Sequence, residues 1–126
     1  MITHIQGKLI EKAPTHVVID CGGVGYFINI SLYTYSQLGS TEFCKVYTHL
    51  AIKEDAHTLY GFAEEEERRL FRNLISVSGV GSSTARMILS SLSPSEIQQA
   101  IVSGDAILLQ RIKGIGGKTA QRIIID

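Results

Sequence analysis

Two short glycine-containing turns in the second half of the chain carry the clearest potential for chemistry. The first reads Gly79-Val80-Gly81-Ser82-Ser83, and the second reads Gly114-Ile115-Gly116-Gly117-Lys118-Thr119. The residues after each glycine pair are expected to open a helix, whose first N–H groups lack intrahelical acceptors and lie at the positive end of the helix dipole. Such a helix start binds phosphate. Because the donors are main-chain groups, the contact would read a nucleic-acid backbone and not its base sequence.

The two turns are copies within one internal duplication. Shifting the sequence by 35 residues superposes Leu74–Ala85 on Leu109–Ala120. The matched positions include Val77 with Ile112, Gly79 with Gly114, Val80 with Ile115, Gly81 with Gly116, Thr84 with Thr119, and Ile88 with Ile123. Each copy predicts a helix, a turn too tight for a Cβ and a second helix, which is the pattern of a helix-hairpin-helix motif. Two ordinary helix ends, each followed by a new helix, would explain the glycines but not the shared spacing.

Local positive charge supports backbone binding. The whole chain is formally neutral, which taken alone argues against a nucleic-acid partner. Between positions 68 and 122, however, eight basic residues stand against two acidic ones, Glu96 and Asp105. The basic residues are Arg68, Arg69, Arg72, Arg86, Arg111, Lys113, Lys118 and Arg122. Lys118 and Arg122 lie one helical turn apart, so both are expected to assist phosphate binding at the second turn.

Other motifs for phosphates, metals or redox chemistry fail on spacing. Gly116–Thr119 imitates the end of a P-loop, but that loop requires a glycine where this chain has Ile112, and it follows a strand. Gly23–Gly25 lacks the third glycine of a dinucleotide fingerprint. The four histidines are scattered, and Cys21 and Cys44 are expected to be buried free thiols. We therefore predict no metal ligands, no cofactor and no catalytic residues.

An enzymatic interpretation remains as an alternative. Some DNA-repair glycosylases and lyases use a helix-hairpin-helix, so a fragment of such an enzyme would share these turns. Catalysis would require a further helical domain with an aspartate or lysine, for which 126 residues leave little room. We therefore expect a binding protein and not an enzyme.

The first half of the chain predicts a small β-barrel. Strand-like alternation or β-branched enrichment runs over Ile2–Ile10, Thr15–Cys21, Tyr26–Ile30 and Cys44–Ile52, with a further segment at His57–Phe62. Tyr26, Ile28 and Ile30 are expected on one face, with Phe27 and Asn29 on the other, and a short helix is expected over Leu32–Leu38. Five short strands with one helix favour the OB-fold, the common five-stranded barrel that handles nucleic acids.

The second half predicts four or five short helices. Glu64, Glu65, Glu66 and Glu67 are interpreted as a solvated helix start with Glu64/Arg68 and Glu65/Arg69 pairs, and the alternative is an acidic interaction tail. Ser93 and Glu96 predict a capping box, and Gly104 a helix end. The predicted class is α+β, with an OB-fold domain over 1–62 and an all-helical domain over 63–126.

A hairpin tip is predicted between the last two strands. The two strands are separated by four residues, Lys53, Glu54, Asp55 and Ala56. This segment presents two adjacent carboxylates. Alone, this is an ordinary solvated turn. Beside a domain that binds nucleic acid, two like charges on a protruding tip would repel phosphates.

With these features in place, the chain resembles the RuvA family of Holliday-junction branch-migration proteins. The resemblance rests on Met1–Gly7, Val18–Tyr26, Glu54–Ala56, Leu59–Phe62 and the tandem hairpins, in this order along nearly the whole chain. It implies a homotetramer, with an octamer as the alternative, that holds a four-way DNA junction. It also implies that Glu54 and Asp55 form an acidic pin at the crossover, and that ATP hydrolysis belongs to the partner motor RuvB, with a junction resolvase as a further partner.

Two departures from the family limit these expectations. The first hairpin has Ser82-Ser83 where a Pro-Lys pair often follows the second glycine. The chain also stops at Asp126, where the family continues to a third domain that docks RuvB, so the sequence as given is expected not to recruit that motor. With no secretory signal and no apolar run of ~20 residues, a bacterial cytoplasmic, nucleoid-associated protein without membrane contact is expected. A generic double-strand DNA-binding module without junction preference remains the leading alternative.

Overall fold

Five strands with alternating burial close into a barrel in the first half of the chain. The computed structural model describes residues 1–125. The elements are β1 (His4–Lys12), β2 (His16–Cys21), β3 (Val24–Ile30), α1 (Leu32–Leu38), β4 (Phe43–Ile52) and β5 (His57–Phe62). The strand order is β1-β2-β3-β5-β4, closed by the pairing of β4 with β1, and only β3 and β5 run parallel. The predicted α+β class and the five-stranded OB-fold are confirmed.

The alternation of buried and exposed side chains explains the barrel core. Ile28 and Ile30 are buried whereas Phe27 on the opposite face is 55% exposed, as predicted from the period of two. β1 begins and ends two residues later than expected, since it pairs with β4 from His4 and continues past a bulge between Leu9 and Glu11 to pair with β2. Ser31 caps α1 by accepting the N–H of Thr34.

Two glycines allow the strands to approach closely enough for closure. A Cβ on Gly7 would lie 2.3 Å from the carbonyl oxygen of Asp20, and one on Gly61 would lie 2.5 Å from Cγ2 of Ile28. Gly61 lies in β5 where it pairs with β3. Any larger residue would force these strands apart.

Five helices follow in the described part of the chain. They are α2 (Glu65–Ile75), α3 (Ser82–Ser91), α4 (Pro94–Ser103), α5 (Ala106–Gln110) and α6 (Gly117–Ile125). The predicted capping box of Ser93 and Glu96 is present, and Gly104 ends α4 at φ 71°. Hydrogen bonds from Ser93 lower the pKa of the Glu96 carboxyl. The chain divides into two compact units, a barrel unit over Met1–Arg68 and a helical unit from Arg69 onward.

Two expectations about the start of α2 are wrong. Glu67 is not solvated: its side chain is buried in the barrel unit, where the hydroxyls of Ser31 and Thr34 donate to it. Arg68 pairs with Glu65 at 3.1 Å and not with Glu64, which accepts the hydroxyl of Tyr33 at 2.6 Å. This carboxylate raises the pKa of Tyr33 to about 12. An amphipathic helix pattern does not show which acid of a run faces the barrel.

The cysteine expectation holds in part. Both thiols are free; Cys44 is buried, and burial raises its pKa, but Cys21 is only half-buried. Cys21 lies in the last position of β2, where it donates to the carbonyl oxygen of Gln6. Its place at a strand end explains the partial exposure.

Candidate nucleic-acid interface

The first glycine turn joins α2 to α3 in the predicted way. The Val80 N–H donates to the Val77 carbonyl at 3.0 Å, and Gly79 takes φ 90°, a conformation that L side chains rarely adopt. Gly81 precedes α3, and its carbonyl accepts the N–H of Ala85 at 2.9 Å. These contacts define a helix, a tight turn and a second helix.

The second turn repeats this geometry between α5 and α6. The Ile115 N–H donates to the Ile112 carbonyl at 3.1 Å, Gly114 takes φ 91°, and the Ala120 N–H donates to the Gly116 carbonyl at 3.0 Å. Each value matches its counterpart 35 residues earlier. The duplication seen in the sequence is therefore a duplication of structure.

In both copies the apolar residue of the turn is buried, whereas the glycines on either side of it are exposed. Val80 is 5% and Ile115 6% exposed, and Ala85 and Ala120 are fully buried. The glycines of both turns are exposed, namely Gly79, Gly81, Gly114 and Gly116. The apolar residues thus hold each pair of helices together while the turn backbone faces outward.

Unpaired backbone donors lie at the start of α3 and of α6. The earliest hydrogen bond onto the Gly81 carbonyl comes from Ala85, so the N–H groups of Ser82, Ser83 and Thr84 precede the intrahelical ladder. At the start of α6 the N–H groups of Gly117, Lys118 and Thr119 precede the bond from Ala120 in the same way. With the helix dipole, each set of donors has the geometry that favours an anion, as the sequence predicts.

The two turns are neighbours within the helical unit. A Cβ on Gly79 would lie 3.6 Å from Nη1 of Arg122 and 3.7 Å from Oγ1 of Thr119. Arg122, assigned from the sequence to the second turn, therefore carries its guanidinium to the first. This cation lies beside the copy that has Ser82-Ser83 in place of a lysine.

The remaining predicted residues of the second turn also lie at its surface. Lys118 is exposed in the first turn of α6, and the Thr119 side chain is half-buried. Gly117 begins α6, where a Cβ would lie 3.1 Å from Nε2 of Gln110. The structure thus brings the residues of both predicted phosphate sites onto one unit.

Charge is divided between the two units. The sequence from residue 69 onward carries seven basic and three acidic residues, whereas Met1–Arg68 carries five basic and nine acidic ones. Arg68, one of the eight basic residues between positions 68 and 122, is engaged in the barrel unit. It donates to the carbonyl of Thr3 at 2.7 Å and lies over the ring of Tyr47. Spacing along a helix could not have revealed these partners.

The acidic tip is a tight β4–β5 turn. The Lys53 N–H donates to the Ala56 carbonyl at 2.8 Å, which leaves Glu54 and Asp55 as the two central residues. Both are exposed. Their carboxylates thus lie together at one end of the barrel.

A groove without ionisable side chains is a further surface feature of the described residues. A groove of about 540 Å³ in the helical unit is lined only by side chains that do not ionise. These are Leu70, Asn73, Leu74, Ser76, Val77, Gln98, Ile101, Val102 and Ile123. Over residues 1–125, no cluster of three or more His, Cys, Asp or Glu side chains could hold a metal ion, and no helix is long and apolar enough to cross a membrane.

Comparison with known proteins agrees with this arrangement. Residues 1–61 match the family model described as the RuvA N terminal domain, and residues 71–126 match the SAM-like helix-hairpin-helix tandem. The chain belongs to the RuvA family. Curated relatives named "Holliday junction branch migration complex subunit RuvA" are 64% identical in Christiangramia forsetii, 64% in Flavobacterium psychrophilum and 55% in Bacteroides fragilis.

Each of these matches covers the whole of this chain. The chain spans about 65% of the length of the first two relatives and 63% of the third. The two regions matched by family models are the barrel and the helix-hairpin-helix tandem.

Proposed function

We propose that this chain binds four-way DNA junctions by structure and not by sequence, as a non-enzymatic subunit of a branch-migration complex. The observation that carries the proposal is the repeated hairpin: two turns with the same dihedral angles and hydrogen bonds, both with an exposed backbone, on a basic unit. Main-chain donors grip phosphates without reading bases. The names of the relatives support the junction as the substrate.

The first phosphate site in this proposal consists of Gly79, Val80, Gly81, Ser82 and Ser83. The second consists of Gly114, Ile115, Gly116, Gly117, Lys118 and Thr119. Arg122 serves both, since its charge belongs to α6 while its guanidinium lies beside Gly79. Two phosphate sites on one unit fix the direction of a DNA arm as well as its position.

Glu54 and Asp55 act as the pin in this proposal. Two exposed carboxylates on a tight turn repel phosphates, and at a crossover they would hold the strands of adjacent arms apart. The tip therefore repels DNA, whereas the hairpins attract it. This opposition favours an open junction over a continuous duplex.

Assembly of several copies would match the symmetry of the protein to that of a four-armed DNA junction. We propose a homotetramer with heterologous contacts that close a ring, because fourfold symmetry presents one pair of hairpins to each arm. ATP hydrolysis would belong to the partner motor RuvB, and the bacterial chromosome would be the place of action. An octamer is the alternative assembly, and a junction resolvase is a further proposed partner.

The deciding experiment is a gel-shift titration of a four-way junction against linear duplex of equal length, at two salt concentrations. We expect at least about tenfold tighter binding to the junction, equivalent to about 1.4 kcal/mol. Both affinities should fall with salt, because phosphate contacts release counterions. A duplex with a central nick of the same sequence controls for strand discontinuity.

Either alternative would give a different result. Equal affinity for junction and duplex would mean a generic double-strand DNA-binding module. Release of a base from a panel of damaged duplexes would mean a repair glycosylase. Salt-independent binding would contradict phosphate capture by the hairpins.

A further inference from the structure

The end of the barrel that carries the acidic tip also exposes apolar side chains. β3 and β5 run parallel, with Ile28 opposite Leu59. Because the two strands run parallel, the start of β3 at Val24 and the start of β5 at His57, just after the tip, point to the same end of the barrel. The β2–β3 turn and the acidic tip therefore share one end of the barrel.

The inward-facing side chains of β3 and β4 become more exposed toward this end of the barrel. On β3, exposure rises from the fully buried Ile28, through the half-buried Tyr26, to Val24 at 53%. On β4 it rises from the half-buried Leu50 to Ile52 at 65%, next to the tip. We call Val24, Tyr26, Leu50 and Ile52 the apolar mouth.

The neighbouring charges decide what kind of ligand can reach this surface. The turn beside the mouth exposes two acids, Glu54 and Asp55, against one base, Lys53, and the barrel unit carries four more acidic than basic residues. A phosphate backbone is repelled there, but the uncharged face of a nucleobase is not. Proteins that separate stacked bases place apolar side chains against them, and stacking on an aromatic ring such as that of Tyr26 tolerates every base.

We propose that the apolar mouth receives the faces of bases that become unstacked at the point of strand exchange. This inference rests on the proposed function. The hairpins hold the phosphates of the arms, the tip keeps the strands apart, and the mouth covers the apolar surface that the separation exposes. Val24 and Ile52 thereby stabilise the open form of the junction, and linear duplex does not engage them.

The test compares two double variants of the same chain. Val24→Ser with Ile52→Ser removes the exposed side chains of the mouth. Ile10→Ser with Phe43→Ser is the matched control, because these residues are 55% and 68% exposed and Phe43 begins β4 whereas Ile52 ends it. All four positions are exposed, and thermal unfolding checks that both variants remain folded.

The probe is a four-way junction with 2-aminopurine beside the exchange point, a base analogue that brightens when unstacked. We expect saturation with the unaltered chain to raise its fluorescence, the mouth variant to lose about half of this rise or more, and the control to retain it. Affinity for linear duplex should stay within about twofold in every case, since the phosphate contacts are intact.

Three results would overturn the inference, each in a recognisable way. If the mouth variant keeps both junction preference and the full fluorescence rise, the mouth is not a base site and the proposed function stands. If the unaltered chain shows no junction preference, the proposed function and this inference both fail. If the mouth variant alone loses mass in sedimentation without DNA, the mouth is a contact between copies of the chain.

Discussion

The buried carboxylate of Glu67 is held by hydroxyl groups. Ser31 and Thr34 donate to it, while the Thr34 hydroxyl accepts the N–H of Ala63 at 3.2 Å. Burial raises the pKa of Glu67, and the two hydrogen bonds oppose that rise only in part. Glu67 therefore connects α1 to the start of α2 through hydrogen bonds. Its ionised form lowers the stability of the fold, because the charge is buried.

Replacing Glu67 should change how stability depends on pH. Because burial raises the native pKa above 4.5, the folded chain holds this proton more tightly, so the free energy of unfolding falls as pH rises from 4.5 through the native pKa, and is constant above it. Glu67→Gln should abolish this decline. At pH 7 it should raise the free energy of unfolding by about 1.4 kcal/mol for each pH unit separating the two pKa values.

Urea unfolding between pH 4 and pH 8 measures this effect. Glu66→Gln is the matched control, since Glu66 is an exposed carboxyl in the same helical turn. The control should keep the pH dependence of the unaltered chain. A parallel loss of stability in Glu67→Gln at every pH would show that its hydrogen bonds outweigh the buried charge.

Arg122 should contribute to binding through charge. Its guanidinium lies beside Gly79, so Arg122→Gln removes one cation from the first phosphate site without disturbing the buried face of α6. We expect about tenfold weaker binding to junction and duplex alike, with the slope of log K against log salt smaller by about 0.9. Lys8→Gln, an exposed lysine of β1, is the charge-matched control, and equal effects from both would indicate a nonspecific contribution of net charge.

At the level of the hairpin, the two glycines of each turn differ in backbone conformation. Gly79 and Gly114 take positive φ angles that the turn requires. Gly81 and Gly116 have ordinary backbone angles, and a Cβ on either would meet nothing within 4 Å. The first glycine of each pair therefore serves folding, whereas neither backbone angle nor packing requires a glycine at the second, which fits its proposed role in the phosphate site.

Alanine substitutions should separate these two roles. Gly79→Ala should lower the free energy of unfolding by about 1–3 kcal/mol, because alanine is strained at φ 90°. Gly81→Ala should cost under about 1 kcal/mol, as expected at an N-cap, but weaken junction binding by placing a methyl group in the path of the phosphate. Chemical denaturation and gel shift on both variants check this, and the assignment is wrong if Gly81→Ala binds normally.

The elements that local rules govern were predictable from the sequence. The 35-residue repeat, the Ser93 cap and the alternation in β3 each depend on near neighbours, and all three appear in the structure. Contacts between distant segments were not predictable: Arg122 beside Gly79 and Glu67 beneath α1 depend on how whole elements pack. The roles of Glu54, Asp55 and the hairpin residues on DNA stay predictions.

Across the whole molecule, charge is segregated along the chain. An acidic barrel unit ends in a tip of two carboxylates, and a basic helical unit carries both hairpins. In the proposed function, attraction and repulsion toward DNA therefore belong to different units. Neutralising the tip should remove the repulsion without touching the sites of attraction.

Glu54→Gln with Asp55→Asn should therefore tighten binding to linear duplex and loosen the open junction geometry. The physical reason is the loss of two like charges that repel phosphates at short range. Duplex affinity by gel shift and arm-to-arm energy transfer in a labelled junction measure the two effects. Glu42→Gln with Glu66→Gln makes the same change in net charge at exposed sites away from the tip, and the pin hypothesis is wrong if both pairs behave alike.

Closure of the barrel also limits how copies of this chain can meet. Every strand already has two hydrogen-bonded neighbours, with β4 returning to β1. An open sheet presents free edges to which other chains add strands, and such edges lead to uncontrolled aggregation. Here no strand has a whole edge free, so association between barrel units relies mainly on side-chain surfaces, and complementarity of shape and charge between those surfaces would set the number of copies in an assembly.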